Sequence, residues 1–311
     1  MEMKQLPVLS LEADQQVFAR SIGDSLRRFG FALVTDHGID AALIERGWDL
    51  TRQFFALPDA EKSRYYLEGL GGARGYTPFG IEIAKGAAKH DLKEFWHVGR
   101  DLPAGHPAGD TMPPNVWPEG IPAFRETFTK LFAAFDLAGN RILSAIAIAL
   151  GLPSDWFESV VFEGNSVMRL LHYPPLDNPE PGALRAGAHG DINLITLLLG
   201  AEEAGLELLD ADGQWIAIDP PQGALVVNIG DMLERLTNDI LPSTIHRVRN
   251  PDSGRAAHSR YSMPFFLHPR SDFVIATLPQ CISPERPDRY PQSITADAFL
   301  QQRLREIGLK K

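Results

Sequence analysis

Apolar positions follow two different periods in the two halves of the chain. In the first half they recur every three or four residues within 12–29, between Asp40 and Pro58, and within 122–150, which predicts three amphipathic helices. Ser10 is the expected cap of the first helix, and Gly30 ends it; Asp40 is the expected cap of the second helix. From Ser166 onwards, short apolar runs alternate with polar turns, as in strands.

The short runs predict many strands of similar length joined by tight turns. The predicted strands are 31–35, 167–173, 193–199, 205–209, 214–218 and 223–229. This pattern is typical of a mainly β fold with flanking helices around a double-stranded β-helix, or jelly-roll, core. We expect one catalytic domain over 1–311, with a mostly helical region at 1–160, the jelly roll at 161–280 and a C-terminal helical region at 281–311. Thr295 is the expected cap of the last helix in that region.

The charge and the cysteine content of the chain indicate which kinds of partner and which cellular compartment to expect. The 311 residues carry 40 acidic and 30 basic side chains, a formal charge of −10, and such a field opposes a phosphate backbone. Nucleic acid is therefore a poor substrate. Cys281 is the only cysteine, no apolar run approaches a membrane span of about 18 residues, and the first residues lack a secretory apolar segment. We expect a cytoplasmic protein without a membrane partner; the oligomeric state stays open, and a monomer is compatible.

Two histidines and one carboxylate form the first group with recognisable chemistry. His189 and Asp191 are two residues apart, so in a strand they would share one face and could bind one cation. His246 lies in a second β-type run. Two neutral imidazoles and one carboxylate on one side of a metal leave open positions on the other side, as in non-haem Fe(II) oxygenases. The alternative is that both histidines are ordinary core residues.

Arg260 and Ser262 form a second group with the same spacing of two residues. An arginine and a hydroxyl in one cavity can hold a distal carboxylate, because the guanidinium offers two parallel donors. A buried structural ion pair of Arg260 is the alternative. His258 shares that strand face, and a role outside the site is expected for it.

The order and spacing of these groups resemble the isopenicillin-N-synthase-like branch of the Fe(II)/2-oxoglutarate-dependent dioxygenases. Further blocks that resemble the family are 228–232, 237–239, 246–248 and 260–266. The resemblance implies that His189, Asp191 and His246 hold Fe(II). It also implies that 2-oxoglutarate chelates the iron and places its far carboxylate on Arg260 and Ser262.

Tyr173 matches a tyrosine that helps to hold 2-oxoglutarate in many relatives, whereas Leu171 stands where many of them carry asparagine. The implied reaction consumes O2 and 2-oxoglutarate, releases succinate and CO2, and oxidises a small organic molecule. Hydroxylation is the expected outcome, and desaturation or ring closure uses the same chemistry. The alternatives are an oxidase that needs no 2-oxoglutarate and a metal-free binding module.

The substrate is not identified by any motif. A glycine-rich stretch at 69–80 is predicted to be a mobile loop, and 70–100 could close over the substrate. Trp96, His97 and Arg100 are candidate substrate contacts, with ordinary packing and surface roles as the alternative.

Overall fold

The structure of the chain is a computed structural model that describes residues 5–70, 72–82, 90–175, 184–199, 205–250 and 258–306. Within these residues the helices are α1 (Gln15–Phe29), α2 (Ala41–Phe55), α3 (Asp59–Lys62), α4 (Phe124–Ala149), α5 (Glu158–Val161), α6 (Asp231–Leu236) and α7 (Ala296–Glu306). The strands are β1 (Val8–Ser10), β2 (Phe31–Thr35), β3 (Gly75–Thr77), β4 (Glu94–Gly99), β5 (Val167–Tyr173), β6 (Ala186–His189), β7 (Ile195–Leu199), β8 (Leu206–Leu209), β9 (Trp215–Ala217), β10 (Leu225–Ile229), β11 (His246–Val248), β12 (Arg260–Leu267), β13 (Val274–Ile275) and β14 (Ile294–Thr295).

Two facing sheets form the jelly roll. The large sheet has the order β1-β2-β10-β7-β12-β5-β4-β3, and the small sheet has the order β6-β11-β8-β9. All neighbours in these two sheets are antiparallel except β1 and β2. Four strands of the large sheet, β1 to β4, come from the first 100 residues, so the N-terminal region contributes strands as well as helices.

Strand alternation gives the large sheet two different faces. Its inner face and the small sheet enclose one apolar cluster, which includes Phe31, Leu208 and Val226. Its outer face packs on the helices in a larger cluster, where Phe135 of α4 stacks on Phe265 of β12 at 5.5 Å between ring centroids. The predicted long helix therefore buttresses the outside of the barrel.

Helix α4 is long and apolar enough to cross a membrane by length and hydropathy alone. More than half of its apolar window is buried inside the protein, where α4 contacts α1, α2 and the sheet. A core helix passes the same test, so this observation is weak evidence for a span.

The helix ends agree with the sequence prediction in part. Asp40 caps α2 by accepting from Leu43 N at 2.7 Å, as expected. The predicted cap of α1 was wrong: Ser10 ends β1, and Asp14 caps the helix instead by accepting from the backbone of the first turn. Gly30 ends α1 with a φ of 68°, and a Cβ at that position would lie 2.2 Å from Thr244 Oγ1.

Candidate metal centre and active-site cavity

Sheet pairing brings the two predicted histidines together. His189 is the last residue of β6 and His246 is the first residue of β11, and the two stand opposite each other in the antiparallel register. Their ring centroids are 4.4 Å apart. Asp191 follows just beyond the end of β6, and ligand atoms of the three residues all lie within 4.8 Å of one another.

Backbone carbonyls fix the orientation of both imidazoles. His189 Nδ1 donates to Gly187 O at 2.7 Å, and His246 Nδ1 donates to Thr244 O at 3.2 Å. Because a carbonyl only accepts, each Nδ1 carries a proton, and in the neutral form of each ring the Nε2 lone pair is the one available to a metal. Burial and the neighbouring His246 lower the pKa of His189 to about 4, so this ring is neutral at neutral pH.

Two buried donors hold the carboxylate of Asp191. Thr196 Oγ1 and Asn228 Nδ2 both donate to Asp191 Oδ2, the latter at 2.8 Å, while Oδ1 lies 3.9 Å from His246 Nε2. Burial acts to raise the pKa of Asp191, but the histidines and these two donors lower it, so the carboxylate is ionised. Asn193 Nδ2 donates in turn to Thr196 Oγ1 at 3.1 Å, which leaves the hydroxyl proton to point at Asp191.

The sequence did not identify Thr196 and Asn228 as part of the site. Asn228 stands in a block that resembles the family, but its role was not assigned, and Thr196 looks like an ordinary strand residue. Thr196 lies five residues after Asp191 and reaches it within the same segment, whereas Asn228 reaches Asp191 because β10 pairs with β7 in the large sheet.

A cavity of about 490 Å³ opens beside the metal-ligand candidates, and His189, Gly190 and Asp191 form part of its wall. Two imidazole nitrogens and one carboxylate oxygen that lie within 4.8 Å of one another fit a divalent iron that keeps open positions towards this cavity. The jelly roll and this triad together define the class of protein: a non-haem iron oxygenase.

The comparisons with known proteins give the family. The model of the family described as "2OG-Fe(II) oxygenase superfamily" matches residues 164–269. A second model, described as "non-haem dioxygenase in morphine synthesis N-terminal", matches residues 6–120. The chain is 36% identical over 288 residues to the 2-oxoglutarate-Fe(II) type oxidoreductase hxnY of Emericella nidulans, covering 89% of this chain and 81% of that protein.

Two solved structures agree over nearly the whole chain. A 2OG-Fe(II) oxygenase family protein from Caulobacter crescentus is 56% identical with a TM-score of 0.91, covering 97% of this chain and 99% of that one. A full-length protein from Neurospora crassa, solved in complex with alpha-KG, is 29% identical with a TM-score of 0.86, covering 96% of this chain and 95% of that one.

The chain belongs to the 2OG-Fe(II) oxygenase superfamily. It is an Fe(II)- and 2-oxoglutarate-dependent dioxygenase, so the predicted family, fold class and cofactors are confirmed, and the metal-free binding module is excluded.

The three residues predicted to bind 2-oxoglutarate lie together on the inner face of the large sheet. Arg260 of β12 stands opposite Tyr173 of β5, and its guanidinium carbon is 5.0 Å from the tyrosine ring centroid. Ser262 stands opposite Leu171, and all four side chains are buried. Leu171 offers no polar atom at this position. His258 precedes β12 and is exposed, which agrees with a role outside the site.

Strand alternation separates the candidate substrate contacts. His97 faces inwards and lines the cavity, whereas Trp96 faces the helices and is fully buried among them. Arg100 binds Asp136 of α4 at 2.8 Å, outside this cavity. The prediction was therefore wrong for Trp96 and Arg100. Residues 71 and 83–89 of the predicted mobile segment lie outside the described residues.

Ion pairs line one wall of the cavity. Lys93 Nζ binds Glu82 at 2.7 Å and Asp91 at 2.8 Å, and Arg169 binds Glu82 at 3.2 Å. Arg169 Nε also donates to His97 Nε2 at 2.6 Å. Two acids and two bases thus neutralise one another in this wall.

The C-terminal helix closes another side of the cavity. Leu300, Arg303 and Leu304 of α7 line it, and Arg303 binds Asp231 at 2.6 Å. Asp231 begins α6, and its backbone N–H donates to Asp191 O at 2.7 Å, so α7 is tied to the backbone of the metal-ligand candidate.

Proposed function

We propose that His189, Asp191 and His246 hold the catalytic Fe(II) and that the cavity beside them receives a small organic substrate. The observation that carries this proposal is the convergence of ligand atoms from the half-buried His189 and the buried Asp191 and His246. The Nδ1 atom of each histidine and Oδ2 of the aspartate are held by hydrogen bonds. When bound, Fe(II) and 2-oxoglutarate supply the activation of O2 that oxidises a C–H bond.

We further propose that Arg260 and Ser262 bind the far carboxylate of 2-oxoglutarate, with Tyr173 beside them. The pairing of β12 with β5 holds these side chains in place before the ligand arrives, which lowers the cost of ordering them. Arg260 is buried, so an anion there would be bound away from competing water. That the similar Neurospora crassa protein was solved with alpha-KG supports this assignment.

Hydroxylation of a small molecule is the proposed outcome. A cavity of about 490 Å³ has the size of pockets that enclose small organic ligands. The formal charge of −10 supports a small molecule over nucleic acid, and we expect a cytoplasmic enzyme. The chain's own residues would orient the substrate along the neutralised wall of Glu82, Lys93 and Arg169, while α7 excludes water.

The test is succinate release after anaerobic reconstitution with Fe(II), with alanine variants of the triad and Arg260→Leu. The triad variants should lose iron and turnover, because two ligands seldom hold a labile divalent ion. Arg260→Leu should keep iron but raise the KM for 2-oxoglutarate about a hundredfold, from the loss of a charged hydrogen bond of about 2 to 3 kcal/mol.

Arg270→Leu is the matched control, because Arg270 is exposed and binds only the neighbouring Asp272 through its side chain among the described residues. It should leave the KM for 2-oxoglutarate unchanged. Oxidation of a substrate with no 2-oxoglutarate present and no succinate formed would instead assign the Arg260 clamp to the substrate's own carboxylate.

A further inference from the structure

One arginine in the cavity wall has no acid bound to it among the described residues. Arg74 precedes β3, lines the cavity and is only 1% exposed. Its Nη1 donates to the neighbouring Ala73 O at 2.7 Å. Its Nε and Nη2 are buried and have no hydrogen-bond partner in the described part of the chain. A buried charged donor without a partner is energetically unfavourable, so a buried donor of this kind usually binds a ligand or has another specific function.

The strand beside Arg74 leaves space for its guanidinium. A Cβ at Gly99 would lie 1.9 Å from Arg74 Cζ, so only glycine lets the planar group rest on the end of β4. Gly99 pairs with Val167, a cavity-lining residue, and therefore shares the inner face of the sheet with it. The guanidinium is thus held against the cavity side of the sheet.

The sheet register relates this position to the metal-ligand candidates. Gly99, Val167, Phe266 and Thr196 stand side by side on four neighbouring strands, and Thr196 donates to Asp191. Three strand spacings of about 4.8 Å separate Gly99 from Thr196, or roughly 14 Å along the sheet. A small molecule lying over Val167 and Phe266 could therefore reach both ends of this row.

Other cations of the cavity wall are paired. Lys93 and Arg169 share Glu82, and Arg303 binds Asp231. Burial lowers the pKa of His268 to about 4, so this cavity histidine is neutral. Burial also lowers the pKa of Arg74, to about 10, which still leaves it charged at neutral pH.

Resting on the proposed function, we propose that Arg74 binds the carboxylate of the substrate, which is a small monocarboxylic acid with an apolar body. Nε and Nη2 lie on one edge of the guanidinium and match the two oxygens of a carboxylate. The apolar body would lie along Val167, Phe266 and Leu300, which line the cavity between Arg74, the metal-ligand candidates and α7. The oxidised carbon is then at the end of the molecule remote from its carboxylate.

The test measures binding of acids and their uncharged amides by calorimetry, with Mn(II) and saturating 2-oxoglutarate so that Arg260 is occupied and no turnover occurs. The probes are hexanoate with hexanamide and 4-phenylbutyrate with its primary amide. The wild type should bind at least one acid tenfold or more tightly than its amide. Arg74→Gln should weaken that acid tenfold to a hundredfold and leave the amide unchanged, and Arg74→Lys should restore part of the loss.

Arg100→Gln is the control, because Arg100 lies next to Gly99 but binds Asp136 outside the cavity. It should keep the acid preference and lower the melting temperature, whereas Arg74→Gln should not lower it, since its Nε and Nη2 leave no described partner behind. A melting temperature that falls only in Arg74→Gln, with the acid preference intact, would show a structural role and overturn the proposal.

Two results separate this proposal from the proposed function. Absence of acid preference in a wild type that binds 2-oxoglutarate overturns the role of Arg74 alone. A wild type that does not bind 2-oxoglutarate with Mn(II) contradicts the proposed function, and the acid and amide titrations repeated on the metal-free protein then still decide on Arg74.

Discussion

Thr196→Val removes one hydroxyl from the support of the metal-ligand candidate Asp191. The side chain is 3% exposed, and valine has nearly the same shape, so the change leaves the volume of the core almost unaltered. In the wild type, Thr196 and Asn228 share Asp191 Oδ2, while Oδ1 is left for the metal. In the variant Asn228 alone holds the carboxylate, which gains freedom to turn away from the two histidines.

The expected loss in metal affinity is tenfold to a hundredfold. A hydrogen bond to a charged group contributes about 1.5 to 3 kcal/mol, and groups that orient a metal ligand typically change affinity by this factor. The assay is a competition titration with Mn(II) or anaerobic Fe(II) against a chelator of known affinity. The KM for 2-oxoglutarate, measured at saturating iron, should change little, because Arg260 lies on a different strand from Thr196.

Thr51→Val provides the matched control. Thr51 is fully buried in α2 and donates to Gly47 O at 2.8 Å, so the same atom is removed at comparable burial but away from the site. It should lower stability without changing metal affinity. Equal metal affinity in Thr196→Val and the wild type, or an equal loss in both variants, would refute the reasoning.

Two further outcomes concern the helices beside the cavity. Burial raises the pKa of Glu234 from 4.5 to about 7, so between these pH values the folded state holds a proton that the unfolded state has released. Stability therefore falls as the pH rises from about 4.5 to about 7. Glu234→Gln should therefore raise the free energy of unfolding by about 1 to 2 kcal/mol over the wild type at pH 8, a value reduced to allow for solvent screening of a partly exposed group. At pH 4 it should leave the free energy of unfolding unchanged. A gain of the same size at both pH values would contradict this explanation. Arg303→Gln should release α7 from Asp231 and speed the hydrogen exchange of the amides of 296–306 about fivefold, which corresponds to roughly 1 kcal/mol. Arg305→Gln is the control, because Arg305 is exposed, and it should leave the exchange unchanged. Unchanged exchange in Arg303→Gln would mean that the ion pair does not hold the helix.

Local sequence patterns were sufficient to predict the features that depend on local geometry. The period of two in strands put Arg260 and Ser262 on one face, and this arrangement is present in β12. Helical periodicity located α2 and α4 within a few residues, and Asp40 marked the start of α2. The two-residue spacing of His189 and Asp191 signalled a shared ligand site although β6 ends at His189.

Which strands are neighbours depends on pairing between distant segments of the chain, and this pairing completes the site. Asn228 contacts Asp191 because the pairing of β10 with β7 places it beside Thr196, and no local pattern encodes that pairing. Alternation puts Trp96 and His97 on opposite faces of β4, but only the packing of the helices decides which of the two faces the cavity. No local pattern identifies Arg74 as a candidate binding residue. Folding buries its guanidinium beside Gly99 and, among the described residues, brings no acid into hydrogen-bonding contact with it. Burial without a partner depends on the whole fold.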